Sequence, residues 1–570
     1  MLEFKKKDLL EKELDKVKGI TKLWSITRGI LAVLTIIFLV CLLSIGDFLL
    51  YGILSGVFFA LFLVAISLST PAYKRVKILE NKKKAYLRHE QRRDKNFSHF
   101  SDNGIDFKDK EDYKLSDLDI FGPKSLFQYL NEAKTPLGRL KLAIQLKDPI
   151  RKSPEFTNLV NHLAEDESSL ELEASLMEFK KGSNGITTDE FQSIVNKKID
   201  YKFYYFLPLL SVLLMILYIP FIFILNWNPY IPLVFLALNI ILTKLLVKDE
   251  ILTKDATSYY YLSDLYVDLS VSIKDTNISD SYYEILKGKI VKEIPLIKKI
   301  RGIYTALSIR KNILLNIILN IILSFDSFLL LILKFRIKDG IKLEESLSSI
   351  AELELALSFK NIGMDNQVYS IPEDSDNIIA SNMIHPFVKN CVPNSITLDG
   401  GIVLTGSNMS GKTTFMRTLG LCLLLKNAGS IVPAESFKAP RVGIYTSLRA
   451  NDMLQEGVST FYAEIKRMNK INLAIKDSRC LILVDEIFKG TNAIERIEAS
   501  RKVIEKLNQY NALFIISTHD FELCDTKGIT NYHFEESYIE DKISFDYKLK
   551  EGPGKKGNAL YLLKMSGIID

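Results

Sequence analysis

Two pairs of nearly uncharged apolar runs, Gly29–Ile45 with Phe48–Leu68 and Phe203–Leu225 with Tyr230–Val247, constrain this chain more than any other feature. A helix rises about 1.5 Å per residue, so roughly 20 apolar residues cross the hydrocarbon layer of a bilayer, and each run is near that length. The connections leave room only for turns: Gly46 and Asp47 in the first pair, Asn226–Pro229 in the second. Each pair therefore reads as a helical hairpin, with Pro208 and Pro220 as kinks, Trp227 at an interface and Lys244 placed to snorkel. Lys5, Lys6, Lys7, Lys12, Lys16, Lys18, Lys22 and Arg28 precede the first run, a basic stretch from Lys74 to Lys95 follows the second, and neither turn holds Lys or Arg. This asymmetry predicts a multi-pass membrane protein with four spans, its N-terminus, middle region and C-terminal third in the cytoplasm. A cleaved signal peptide does not fit, because the segment before Gly29 is long and mixed in charge and a second apolar run follows at once.

A fifth run, Ile313–Leu333, is interrupted by Asn316, Asn320 and Asp326 and reads as a buried helix, since an odd number of spans would move the C-terminal third across the membrane. The basic stretch Lys74–Lys95 could meet nucleic acid, but beside a span it is expected to lie on anionic lipid. A net charge of +6 over 570 residues is too small to argue for nucleic acid by itself. Five scattered cysteines without a CxxC give neither a disulfide framework nor a zinc site and suit a reducing compartment.

The C-terminal third carries the chemistry. Gly401–Thr405 (GIVLT) is a short β-rich run, followed by GSNMSGKTT at Gly406–Thr414 and a helical pattern through about Lys426. This is the strand, glycine loop and helix of a phosphate cradle. Its backbone N–H groups approach a β-phosphate, Lys412 offsets charge on the β- and γ-phosphates, and the Thr413 hydroxyl ligates Mg²⁺. The expected ATP-binding residues are Gly406, Ser407, Asn408, Met409, Ser410, Gly411, Lys412, Thr413 and Thr414. Leu481–Val484 reads as a buried strand ending in Asp485 and Glu486. Asp485 is expected to hold Mg²⁺ through its water shell and Glu486 to act as the base on the attacking water. A third strand, Ala512–Ser517, delivers Thr518 and His519 to the same edge, where His519 is expected to face the γ-phosphate. Three strands ending in phosphate chemistry describe an open α/β sheet that binds ligand at its carboxyl ends.

These segments resemble, in order, the ATPase domain of the MutS family of DNA mismatch-repair proteins, within the wider ABC-type ATPase group. The resemblance lies in IHPFV at Ile384–Val388, VPN at Val392–Asn394, TGSNMSGKTTFMR at Thr405–Arg417, GVSTFYAEI at Gly457–Ile465, DEIFKGTN at Asp485–Asn492, STHDFEL at Ser517–Leu523 and NYHF at Asn531–Phe534. Upstream, Asp117–Pro149 resembles the start of the MutS core domain, and Asp326–Phe359 the helix returning from it. The resemblance implies a homodimer in which Gly457, Ser459 and Thr460 of one copy approach the γ-phosphate held by the other, with Asn408 on the nucleotide and His533 near the adenine. Departures are also plain. Cys391 stands where many relatives stack an aromatic ring on adenine, Phe488 and Lys489 stand where Gly and Arg are common, and the mismatch-reading domain has no counterpart.

The expected organisation is a basic N-terminus over 1–28, a transmembrane hairpin over 29–68, a basic linker over 69–113, a helical MutS-like core over 114–202 and 248–379 interrupted by a second transmembrane hairpin over 203–247, and an α/β P-loop ATPase domain over 380–570. The expected function is a membrane-anchored ATPase using ATP and Mg²⁺, coupled to DNA by family resemblance alone. An ATP-switched membrane scaffold that recruits an unknown protein partner without binding DNA is the alternative. A transporter of the ABC kind is disfavoured, because no LSGGQ-like signature is present and the interval from Lys412 to Asp485 is too short for the helical subdomain expected there.

Overall fold

The structure, a computed structural model, describes residues 2–45, 48–109, 111–166, 168–182, 206–246, 266–267, 269–295, 298, 301, 313–328, 331, 344–407, 409–449, 460–488, 492–539 and 542–554. These fall into two units. The first comprises Met1–Arg88, Ser168–Asn277 and Lys287–Ser346, and the second His89–Glu167, Ile278–Leu286 and Leu347–Asp570.

In the first unit, helices Leu2–Ile45 and Phe48–Arg93 lie antiparallel, with Phe38 stacked on Phe58 at 5.3 Å in the apolar part. Beyond that part they continue as a two-helix stalk. Leu10, Leu14 and Leu79 are buried in its seam beside Val17, Val76 and Tyr86, and Arg75–Glu13, Lys18–Glu80 and Lys83–Glu11 ion pairs flank it. Two bases of the stretch expected on lipid, Arg75 and Lys83, are therefore matched by acids of the other helix. In the apolar part the polarity is reversed: Ile30, Leu43 and Leu68 are more than half exposed. Such a surface over two long helices is an apolar patch of the kind that marks an interaction site.

Three helices, containing Asp8–Ile45, Leu50–Arg93 and Leu207–Leu225, are long and apolar enough to cross a membrane. The expected fourth span forms a shorter helix, Ile231–Leu246, of 16 residues, so four full-length spans are not what the described residues give. Pro208 sits in the first turn of its helix, where a missing N–H costs nothing, and only Pro220 lies inside it. Asn226 closes that helix in a left-handed conformation, and Trp227 stacks on Phe221 at 5.0 Å. The fifth run forms helix Ile313–Leu323, which ends at Ser324 with φ +47°. It packs on the second hairpin through polar groups: Asn239 Nδ2 donates to the carbonyls of Asn320 (2.9 Å) and Ile321 (2.7 Å), and Ser324 Oγ donates to Pro208 O (2.9 Å). The bond to Ile321 O satisfies a carbonyl that the helix end leaves open. Ile317 and Leu323 of this helix face outward, and beyond its end Ser324, Asp326 and Ser327 are buried while Phe328 is exposed.

The second unit is built on a six-stranded sheet of order β10-β9-β4-β8-β7-β6: β4 (Gly401–Thr405), β6 (Gly443–Ser447), β7 (Cys480–Asp485), β8 (Leu513–Ser517), β9 (Ile529–Ile539) and β10 (Lys542–Glu551). All neighbours are parallel except β9 and β10. The central strands β4, β7 and β8 read as unbroken aliphatic runs because both faces are covered. Ile471 and Ile475 of helix Thr460–Asp477, and Ile504 and Leu507 of helix Ala493–Gln509, close on Ile482, Val484, Phe514 and Ile516. A smaller sheet of order β1-β5-β2-β3 uses β1 (Glu373–Asp374), β2 (Ile378–Met383), β3 (Asn394–Leu398) and β5 (Ser436–Ala439).

Short helices between Tyr113 and Glu165 join this unit. Thr135 caps helix Pro136–Lys147 by accepting from Gly138 N, and the buried Glu354 accepts from the N–H groups of Lys134 (2.8 Å) and Thr135 (2.9 Å). Arg92, fully buried in this unit, donates to Tyr129 O at 2.7 Å and pairs with Glu132, and His89 pairs with Asp365 at 3.0 Å. These two side chains are enclosed in protein, where the basic run had been expected to face lipid.

Candidate nucleotide site

Strands β4, β7 and β8 end side by side, and their terminal residues converge. After Thr405 the chain turns through Gly406 (φ +145°), where an added Cβ would lie 2.8 Å from Phe534 O, and reaches Gly411 (φ +108°), the residue that starts helix Lys412–Asn427. Both positions demand glycine, one for space and both for backbone. Lys412 folds back over the loop, its Nζ donating to Gly406 O (2.6 Å) and Ser407 O (2.9 Å). The hydroxyls of Ser407 and Ser410 are buried without a hydrogen-bond partner among the described residues. Buried polar groups are rarely left so. A cradle of N–H groups, an ammonium and two waiting hydroxyls fits phosphate oxygens.

Thr413 Oγ1 donates to Asp485 Oδ2 at 2.6 Å, and Ser517 Oγ donates to the other oxygen, Oδ1. Asp485 is thus held from the loop helix on one side and from β8 on the other, a consequence of the register that sets Asp485 opposite Ser517. A hydroxyl and an anchored carboxylate are hard oxygen donors that fit Mg²⁺. Glu486 follows with φ +56°, its N–H bonded to Ser517 O at 3.0 Å, and its carboxylate lies 2.9 Å from His519 Nε2. The imidazole expected at a phosphate is here directed at the candidate base.

A cleft of about 480 Å³ opens above the loop, lined by Ser407, Met409, Ser410, Gly411, Lys412, Thr413, Thr414, Asp485 and Glu486 together with Cys391, Asn394, Phe534 and Tyr547. Neither His519 nor His533 lines it. His533 lies on β9 opposite Thr405, its Nδ1 against Gly552 O at 3.0 Å. Asn408, Gly457 and Ser459 lie outside the described residues, and Thr460 opens helix Thr460–Asp477.

Two contributors escaped the sequence reading. Ser517 lay within a recognised block but had no role until the strand register placed it on Asp485. Tyr547 stands at an irregularity between Phe545 and Leu549 in the β9–β10 pairing, with φ +51°. Asn394 holds it there, donating to Tyr547 O (2.9 Å) and accepting from Leu549 N (2.8 Å), so that its ring lies against Gly411. The VPN block thus works through Asn394. On the facing wall the Cys391 sulfur accepts from His385 N at 3.2 Å, and burial raises its thiol pKa. Burial, with the charges of Arg417 and Lys95, pushes His385 down to about 4, so its ring is neutral near pH 7.

A glycine loop between strand and helix, beside a second strand ending in two carboxylates, defines the site of a P-loop ATPase. Residues 402–570 match the family model described as MutS domain V. The protein named DNA mismatch repair protein MutS from Aquifex pyrophilus is 36% identical over 196 residues, 33% of this chain and 23% of that protein. Proteins of the same name are 37% identical over 206 residues in Leptospira interrogans (33% and 24%) and 30% identical over 240 residues in Thermus caldophilus (40% and 29%). The chain spans about a quarter of the length of these relatives. Residues 402–570 accordingly form an ATP-hydrolase domain of the MutS type, and a helical region precedes them.

Proposed function

We propose that this chain is a membrane-anchored ATPase that hydrolyses ATP as a homodimer and uses the cycle to act on DNA. The observation that carries the reading is the meeting of Thr413 and Asp485 beneath the glycine loop, which assembles donors for a nucleotide and its cation in one cleft. On ATP binding, Lys412 exchanges the carbonyls of Gly406 and Ser407 for β- and γ-phosphate oxygens, and the N–H groups of Gly411, Lys412 and Thr413 cap the β-phosphate. Thr413, and Asp485 through water, would hold Mg²⁺, which supplies charge neutralisation along the polyphosphate. Glu486 takes the proton of the attacking water, and His519, bonded to Glu486, fixes the orientation of that carboxylate. Tyr547 provides a stacking face for the base, with Cys391 opposite. Gly457, Ser459 and Thr460 of a second copy complete the γ-phosphate site.

The outward apolar surfaces of both hairpins support a four-span anchor, with the shorter helix Ile231–Leu246 as the fourth span and the N-terminus, helical core and ATPase domain in the cytoplasm. The domain boundaries given above belong to this reading. Coupling to DNA, including mismatched DNA, rests on the names of the matched relatives, which cover a minority of the chain. The test is ATP turnover of the full-length protein in lipid nanodiscs with homoduplex, mismatched and branched DNA, alongside duplex binding at low salt. Stimulation or salt-dependent binding supports the DNA branch. Turnover without either leaves the ATPase and removes DNA in favour of a scaffold for a protein partner.

A further inference from the structure

The turn after helix Tyr113–Asp117 contacts the nucleotide machinery from behind. Asp119, with φ +51°, is in a left-handed conformation that aspartate and asparagine adopt more readily than other residues. One oxygen of its side chain, Oδ2, receives two guanidinium groups: Arg449 Nη2 at 2.7 Å and Arg417 Nη1 at 3.3 Å. Arg417 lies on the helix that begins with Lys412, and Arg449 is two residues past β6. Two residues back, the fully buried Asp117 accepts from Leu448 N at 2.9 Å and faces Arg467 at 3.6 Å. A single turn of the helical segment therefore holds the end of β6, helix Thr460–Asp477 and the phosphate-loop helix together.

We propose that Asp119 is a positioning residue for ATP hydrolysis: by neutralising Arg417 and Arg449 together, it fixes the phosphate-loop helix against the end of β6 and so couples the helical segment to the rate of turnover without touching nucleotide. Without its carboxylate two like charges face each other in a partly buried site. The same Arg417 acts electrostatically on Asp485, so its displacement reaches the cation site. Burial already lowers the proton affinity of Arg417, and the charge of Arg449 adds to that.

The inference rests on the ATPase reading, and the test separates the two. The full-length protein in nanodiscs is measured as wild type, Asp119→Asn, Asp119→Glu, Arg449→Gln and the Asp119→Asn/Arg449→Gln double variant. Loss of turnover in Lys412→Ala ties the measured rate to this site and bears only on the ATPase reading. Asn accepts the left-handed backbone, so Asp119→Asn removes the charge and one acceptor without straining the turn. Its kcat is expected to fall about tenfold with KM within about threefold, Asp119→Glu to retain most of the rate, and the double variant to recover kcat above the single. Hydrogen exchange at the amides of Ile444–Leu448, which needs no turnover, is expected to rise in Asp119→Asn and not in Asp119→Glu. Unchanged kcat and exchange in Asp119→Asn, or a double variant no better than the product of the singles, would overturn the proposal.

Discussion

Thr413 Oγ1 donates a hydrogen bond to Asp485 Oδ2 at 2.6 Å, joining positions 72 residues apart in the chain at the mouth of one cleft. That bond links the two halves of the phosphate chemistry, the loop helix and the carboxylate strand. Ser517 secures the second oxygen of Asp485. Ser517→Ala is expected to leave the fold intact and to lower apparent Mg²⁺ affinity in turnover by roughly 10- to 100-fold, the range for losing a partner that orients a metal-binding group. A magnesium titration of ATP turnover reads this directly, and an unchanged midpoint would remove Ser517 from the site.

The pairing of His519 with Glu486 makes separate statements about each. Glu486→Gln should still bind ATP while turnover drops by roughly 10² to 10⁴, the contribution of a positioned general base. His519→Ala should lose less, because the carboxylate stays and only its orientation is freed. Single-turnover kinetics with equilibrium nucleotide binding separates the effects. Full turnover in Glu486→Gln would reassign the base.

Tyr547 is expected to set affinity for the base. Removing an aromatic stacking face costs about 1–3 kcal/mol, so Tyr547→Ala should weaken ATP binding roughly tenfold or more while Tyr547→Phe binds as wild type. Titration with a fluorescent ATP analogue compares them. Equal affinity in Tyr547→Ala would place the base elsewhere.

Glu354 supplies a pH-dependent stability term. Burial raises its carboxyl to about 7 against hydrogen bonds from Thr135 and Lys134 that favour the charged form. A folded-state value above the unfolded one means the folded chain holds the proton more tightly. The contribution is therefore complete below about pH 4.5 and is lost as pH rises through 7, on the order of 3 kcal/mol. His385, held down at about 4, has the opposite slope: its contribution is full above about pH 6.5 and fades as pH falls. Glu354→Gln keeps an acceptor for the two amides but cannot titrate, and should remove the part of the melting-temperature change between pH 5 and pH 8 that falls with pH, leaving the opposite slope of His385. Parallel pH profiles for both proteins would contradict this assignment.

What could be read from the sequence was whatever is local. The phosphate loop is contiguous, its strand and helix adjoin it, and the aliphatic runs ending in Asp485 and Ser517 are strands by composition alone. The partnership of Ser517 with Asp485 depends on the order β8-β7, which no local pattern carries. Tyr547 reaches the loop through a hairpin irregularity pinned by Asn394, far away in sequence. The stretch from Lys74 to Lys95 read as a lipid-facing basic run because the partners of its bases, Glu11, Glu13 and Glu132, belong to other segments. The fourth apolar run counted as a span by its residues, and among the described residues it forms a helix of 16 residues. Asn239, isolated in that run, acquires meaning only beside the carbonyls of Asn320 and Ile321.

The proposed site is composite and shared between two copies. Lys412→Ala removes the phosphate contact within a copy, and Ser459→Ala the contact offered to its partner, so each alone should be inactive. Mixed dimers of the two variants hold one intact site, in which Lys412 comes from one copy and Ser459 from the other. ATP turnover of the mixed proteins in nanodiscs is expected to rise well above the sum of the separate preparations. Turnover no greater than that sum, under conditions where the copies exchange, would contradict a site completed in the dimer.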